Sequence, residues 1–143
     1  MITMNIEGVI ALIARIREKA HNLIIEELSK RGIHSLVPSH GAILDELYRE
    51  DGLAMKELAT RIRRDKSTVT TLVKKLEFLG YVERKADPAD GRYWLICLTE
   101  KGRTLRPIFE EVSEILISMV FQGFEEGEKE ALVSDLWRVY NNL

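Results

Sequence analysis

The chain has 143 residues, 45% hydrophobic and 31% charged, a balance that suits a packed globular protein and excludes a disordered one. No apolar run is long enough to span a bilayer, Met1 to Glu7 has the features of no signal peptide, and a lone cysteine, Cys97, permits no intrachain disulfide, so a cytoplasmic location and no membrane partner are expected. The net charge of −2 hides an asymmetry: nine basic and five acidic residues lie between Arg61 and Arg92, a local excess of four positive charges, while the remainder carries an excess of six negative ones.

In chain order, Ile6, Val9, Ile10, Ile13, Ile16, Ala20, Ile24 and Leu28 return to one stripe and predict a long helix over about 5–31, ended by Gly32. Its apolar face exceeds what one small unit needs at its edge, so part of it reads as a dimer seam; burial within the same chain is the plain alternative. Gly32 to Pro38 is a connection. Ser39 is the expected N-cap of a second helix running to about Tyr48, with Ile43, Leu44 and Leu47 inward. Glu50-Asp51-Gly52 breaks it. Leu53 is expected to open a very short strand that pairs with a later hairpin.

Met55 to Ile62 predicts a short helix with Leu58 and Ala59 inward. Asp65 is a good N-cap for the next helix and Gly80 a good stop. In that helix Val69, Leu72, Val73, Leu76 and Leu79 share one face. A turn of about 100° per residue puts Ser67, Thr70, Thr71 and Lys74 on the opposite face. A helix buried on one side, with hydroxyls and a lysine near its N-terminus on the other, suits a major groove. An ordinary amphipathic surface helix would look the same. The next segment tips the reading. Tyr81 to Lys85 and Tyr93 to Leu98 predict two strands, and Asp87-Pro88-Ala89-Asp90-Gly91-Arg92 between them is turn chemistry. A basic hairpin after two short helices reads as the wing of a winged helix-turn-helix. Arg84, Lys85 and Arg92 are its candidate phosphate contacts. Arg92 at the tip is the candidate for a minor groove, with Asp90 two residues away as the carboxylate that supports it.

After the wing, Thr99 is an expected N-cap. Leu105, Ile108, Phe109, Val112, Ile115, Leu116, Met119 and Val120 form another long stripe, which Pro107 should kink or bend. Gly123 ends it. Glu125 to Glu128 opens a last helix with Leu132, Leu136, Val139 and Tyr140 on one side and Trp137 beside them.

Taken together, Leu58-Ala59, Asp65-Lys66-Ser67-Thr68-Val69-Thr70, Leu76 through Val82, Asp87 through Arg92 and Leu98 through Gly102 stand in an order and spacing that resembles the MarR family of transcriptional regulators. The resemblance runs from about Leu53 to Gly102; beyond it only helix pattern and length agree. It implies a homodimer, held by the first and last helices, that binds a palindromic double-stranded DNA operator and often releases it on binding a small molecule. The expected fold class is α+β, mainly α, with one MarR-like domain over 1–143: dimerisation helices at about 5–31 and 100–142, and a winged helix-turn-helix lobe at about 39–98. Ser67, Thr70, Thr71 and Lys74 are then expected at base edges or nearby phosphates, Arg63, Arg64 and Lys66 on backbone phosphates, and Arg92 in the minor groove. The expected role is that of a repressor.

Enzymatic parts are missing from the sequence: there is no Gly-rich phosphate loop and no Gly-x-Ser-x-Gly elbow. His21, His34 and His40 share no ligand spacing, so neither metal nor cofactor is expected. Two other readings compete. One is a winged-helix module that contacts protein without binding DNA. The other is a metal- or redox-responsive regulator using the histidines or Cys97, although Cys97 beside Ile96 and Leu98 reads as a packed thiol. An effector pocket is expected between the dimer helices and the DNA-binding lobe, with Trp94, Phe109, Met119, His21 and Tyr48 as wall candidates by residue type.

Overall fold

The structure, a computed structural model, describes residues 6–143. The expected helix start at Asn5 therefore lies outside the described residues. A 3-10 turn, Ile6–Gly8, leads into α1, Val9–Lys30. α1 closes in a Schellman turn: the Gly32 amide donates to Ser29 O, the Ile33 amide donates to Leu28 O, and Gly32 takes the left-handed φ of 81° that this turn requires. Only the C-terminal part of the predicted stripe is covered by the chain. Leu28 is buried and Ile24 packs on the core, whereas Ile6, Val9, Ile10, Ile13 and Ile16 are exposed, Ile10 to 60%.

Helix α2 spans Pro38–Arg49 and turns Ile43, Leu44 and Leu47 fully inward, as their spacing predicts. Its N-cap is not Ser39 but Val37. Pro38 has no N–H to satisfy and so fits the first helical position. The cap that Val37 cannot supply from its own side chain comes from His40, whose Nδ1 accepts the Val37 N–H at 2.9 Å. His40 is 3% exposed, and burial, with Lys75 nearby, pushes its pKa down, which keeps the ring the neutral acceptor this bond needs.

Strand β1, Leu53–Ala54, is the short strand expected at Leu53. It pairs antiparallel with β3, with Leu53 opposite Ile96. Helix α3 spans Met55–Ile62 and α4 spans Lys66–Phe78. β2, Val82–Ala86, and β3, Trp94–Leu98, complete a sheet in the order β1-β3-β2, with Val82 opposite Leu98 and Ala86 opposite Trp94. β2 begins one residue later than predicted because the Tyr81 amide is still donated to Leu76 O, closing α4 around Gly80. Val82, Ile96 and Leu98 turn inward and join Val69, Val73, Leu76, Leu58, Leu44 and Leu47 in one core.

The long post-wing stripe divides into α5, Glu100–Thr104, and α6, Arg106–Val120. Leu105 is the joint. Pro107, in the first turn of α6, withholds the amide that a continuous helix would donate, so the bend falls where the sequence places it. Gly123, at φ 83°, turns the chain into α7, Glu126–Asn142. Like the N-terminal half of α1, α7 leaves its apolar side bare: Val133, Leu136, Trp137, Val139 and Tyr140 are all exposed. The molecule is thus mainly helical with one small antiparallel sheet. Among the described residues no helix is long and apolar enough to cross a membrane.

Candidate nucleic-acid interface

Asp65 fixes the start of α4. Its carboxylate accepts the Thr68 amide at 3.0 Å and the Thr68 hydroxyl at 2.6 Å, and also accepts the Ser67 hydroxyl. These donors hold the Asp65 pKa well below the usual carboxylate range, with the Ser67 bond the largest cause. The hydroxyls of Thr70 and Thr71 are also taken, donating to Lys66 O at 2.8 Å and Ser67 O at 3.1 Å. Ser67, Thr70 and Thr71 thus all have their hydroxyl protons committed and offer α4's surface acceptor oxygens, beside Lys74. Ser67, Thr71 and Lys74 are exposed and Thr70 is half-buried.

The cations expected around this helix fall into two groups. Arg64, Lys66 and Lys74 are exposed, and none has an ion-pair partner among the described residues. Arg63 and Arg84 are engaged. Arg63 is the left-handed C-cap of α3, at φ 56°; its guanidinium lies over the Tyr140 ring, 5.3 Å from the centroid, and donates to the Tyr140 hydroxyl. Arg84 bonds Glu77 of α4 at 2.9 Å, on the face of β2 that meets the helix, so it fastens the wing rather than pointing away from it. Arg61, part of the local basic excess in the sequence, is surrounded by Glu46, Glu50 and Glu57 and adds nothing to the outward charge.

At the wing tip, the Asp87 and Ala89 turn is closed by Asp87 N–H to Tyr93 O at 2.9 Å and Ala89 N–H to Asp87 Oδ1 at 2.8 Å. Asp90 grips Arg92 by a two-point bond, Nε to Oδ1 at 3.0 Å and Nη2 to Oδ2 at 2.9 Å, and accepts the Arg92 amide as well. The guanidinium lowers the Asp90 pKa in turn. Arg92 still leaves most of its side chain, 84%, in solvent. A planar fork held this way at the end of a hairpin is an oriented cation with free donors.

Sequence reasoning missed the ties that seat the wing. Asp51, there only a helix breaker, accepts the Leu98 amide at 2.8 Å and thereby caps β3. Thr99 donates its hydroxyl to Gly80 O at 2.5 Å and its amide to Tyr81 O at 3.1 Å. Aspartate before a glycine is a common turn signal, but its long-range partner is invisible in sequence. The other candidate chemistries do not assemble. Among the described residues no three His, Cys, Asp or Glu side chains gather to hold a metal. His34 bonds Ser29 at 3.0 Å and His40 caps α2. Cys97 is half-buried, and burial, then Asp51, pushes its thiol pKa up, away from the reactive thiolate.

A cleft of about 450 Å³ opens between α1, α2 and α6. Of the wall residues expected by type, Tyr48 and Phe109 line it; Trp94, on the wing, and Met119 and His21, on α6 and α1, do not. Type alone could not say which helix faces converge. Tyr48 donates its hydroxyl to Gly102 O at 2.7 Å, tying α2 of the lobe to α5 at the root of the C-terminal arm.

Comparison with known proteins agrees with this geometry. A MarR family model matches residues 34–92. The helix-turn-helix transcriptional regulator SarZ of Staphylococcus haemolyticus is 33% identical over 76% of this chain and 73% of its own. The regulator YybA of Bacillus subtilis is 27% identical over 94% of this chain and 85% of its own. Among solved structures, a MarR transcriptional regulator from Methanosarcina mazei superposes with a TM-score of 0.80 at 27% identity, covering 95% of this chain and 96% of that one. These relatives are transcriptional regulators. With the family model seated on the helix-turn-helix and a relative of one-third identity spanning most of both chains, the protein belongs to the MarR family of DNA-binding transcriptional regulators.

Proposed function

We propose that the protein is a homodimeric repressor that binds a palindromic operator and releases it when a small molecule occupies the cleft. The observation that carries this reading is the pairing of two oriented elements: α4, capped by Asp65 with Lys74 outward, and the wing tip, with Arg92 held by Asp90. One presents a short polar face for a major groove and the other a fixed cation for the minor groove beside it. Ser67, Thr70, Thr71 and Lys74 meet base edges. Arg64 and Lys66 hold phosphates, as does Arg63 from its seat on Tyr140. Arg84 steadies the wing through its Nε bond to Glu77 and keeps its Nη donors for a phosphate.

The bare apolar faces support the dimer. Val9, Ile10, Leu12, Ile13 and Ile16 on α1, Ile117, Met119 and Val120 on α6, and Leu136, Trp137 and Tyr140 on α7 are exposed in one protomer. That is the amount of apolar surface a soluble chain normally covers with a partner. One two-fold unit then comprises the whole chain, arms and lobe, with its two recognition helices about 34 Å apart. The cleft lies where α2 of the lobe meets α1 and α6 of the arms, so an occupant would act on that spacing. A cytoplasmic location follows from the DNA partner.

The test is selection from a pool of random duplexes at two salt concentrations, with sequencing of the bound fraction. An enriched palindrome with half-sites about one helical turn apart, lost steeply with salt, is the expected result. Salt-insensitive behaviour with no enriched site would overturn it and turn the winged helix into a protein-contacting module.

A further inference from the structure

We propose that Phe78 is a further specificity-determining residue: its ring enters the major groove at the far end of α4 and packs on the C5-methyl group of a thymine in each half-site. This rests on the reading of α4 as the recognition helix and adds the base that its apolar end selects.

Phe78 is the last residue of α4 and is 89% exposed, more than any other large apolar side chain from α2 through β3. A turn of about 100° per residue puts Ser67, Thr71, Lys74 and Phe78 within roughly 60° of one another, on the face opposite buried Val69, Val73 and Leu76. Phe78 therefore continues the stripe expected to meet DNA, one turn beyond Lys74. The ring adds nothing to the core, and in the unbound protein it stands in water.

Its surroundings say what covers it. Lys74 and Lys75 are exposed and have no ion-pair partner among the described residues. Arg84 bonds Glu77, the residue before Phe78, through Nε alone. A ring bordered by cations suits a groove walled by phosphates and floored by bases. Reach also grows along the stripe, from Ser67 and Thr71 to Lys74 and Phe78. A recognition helix brings its N-terminal residues closest to the base edges, and because the helix is straight while the groove curves, its far end needs the longer side chains. The chemistry narrows the base. A phenyl ring neither donates nor accepts a conventional hydrogen bond, and the thymine methyl is the apolar group that a base edge offers in the major groove. Phe78 thus reads what the hydroxyls of Ser67, Thr70 and Thr71, with their protons committed, leave unread.

The test uses the full chain and puts the parent and Phe78→Ala through the same selection from random duplexes. The parent is expected to enrich a thymine at one position of each half-site. Phe78→Ala should lose the preference there, keep the rest of the site and bind the parent's operator at least about fourfold more weakly. Its melting temperature should match the parent's, because the ring is exposed. Deoxyuridine in place of that thymine removes the methyl and nothing else. It should weaken the parent by about fourfold and leave Phe78→Ala within about twofold of its own affinity for the thymine operator. A parent that binds both operators equally overturns the proposal. So does a uniform loss of affinity in Phe78→Ala with no position changed, which would make the ring a backbone contact. An enriched site that Phe78→Ala selects unchanged overturns this inference alone, whereas no enriched site for the parent overturns it together with the operator reading.

Discussion

A cation's worth to DNA depends on what already holds it. Lys74 is exposed and without an ion-pair partner among the described residues, so a base or phosphate can have it at no internal cost. Lys74→Ala should cost about 1–3 kcal/mol of operator affinity if it reads a base, seen as a loss of preference at one position of the half-site. Arg92 is pre-aimed by Asp90. Arg92→Ala should lower the slope of log affinity against log salt by about one per lost phosphate contact in a salt titration. His40 makes a different prediction, on stability. Its folded pKa is lowered by burial, so between the folded and unfolded values the unfolded chain binds more protons than the native one. Stability is then full above the unfolded value of about 6.5 and falls as pH drops below it. Melting temperatures taken from about pH 7.5 down to about 5.5 should decline accordingly. His40→Asn, which keeps an acceptor for the Val37 amide, should flatten that decline.

Among the elements, the wing works only if its root is fixed, and the root is crowded. Thr99 bridges Gly80 and Tyr81 from one side, and Lys101 crosses the Tyr81 ring at 4.8 Å and donates to Leu79 O at 2.8 Å. Gly102 closes the gap. A Cβ there would sit 2.1 Å from Tyr81 O, a backbone atom that cannot swing aside. Gly102→Ala should therefore destabilise the fold by about 1–3 kcal/mol, measurable by denaturant titration. Because Gly102 O also accepts from Tyr48 on the cleft wall, the same change should weaken operator binding in protein that remains folded. The joint at Leu105, with Pro107 after it, is the other fixed point: it separates short α5, whose Gly102 O accepts from Tyr48, from long α6.

For the whole molecule, the cations proposed for DNA lie on and beside α4 and at the wing tip, and most of the bare apolar residues on α1, α6 and α7, although Phe78 of α4 and Tyr93 and Trp94 of the wing are exposed too and α1 also carries exposed Arg15, Arg17 and Lys19. α7 touches the lobe where Arg63 meets Tyr140, which links the arm to the turn between the two helices of the helix-turn-helix. Leu136→Glu would place a charge inside the proposed seam. It should shift the protein from dimer to monomer in sedimentation experiments and remove palindrome selection, while leaving the melting of the lobe core nearly unchanged. Retention of a dimer by this variant would move the seam elsewhere.

Much of this was legible in the residues alone. The inward set Ile43, Leu44, Leu47, Leu58, Val69, Val73 and Leu76, the Asp65 cap, the Gly80 stop, the two wing strands and the bend at Pro107 all follow from periodicity, capping and turn chemistry, and these act within a few residues. The Asp90–Arg92 contact was legible for the same reason, since two residues on a tight turn can hardly avoid each other. Where the outcome depended on which side chain packing buries or brings together, the local signals failed. Ser39 looked like a cap, but the helix starts at Val37, whose amide the buried His40 ring three residues on accepts; Arg84 looked free, but β2 carried it to Glu77; of five wall candidates only Tyr48 and Phe109 met in a cleft. An apolar stripe such as that of α1 states that a face will be covered. Which surface covers it, and which charge finds which partner, depends on how helices converge in three dimensions, and only the tertiary structure decides that.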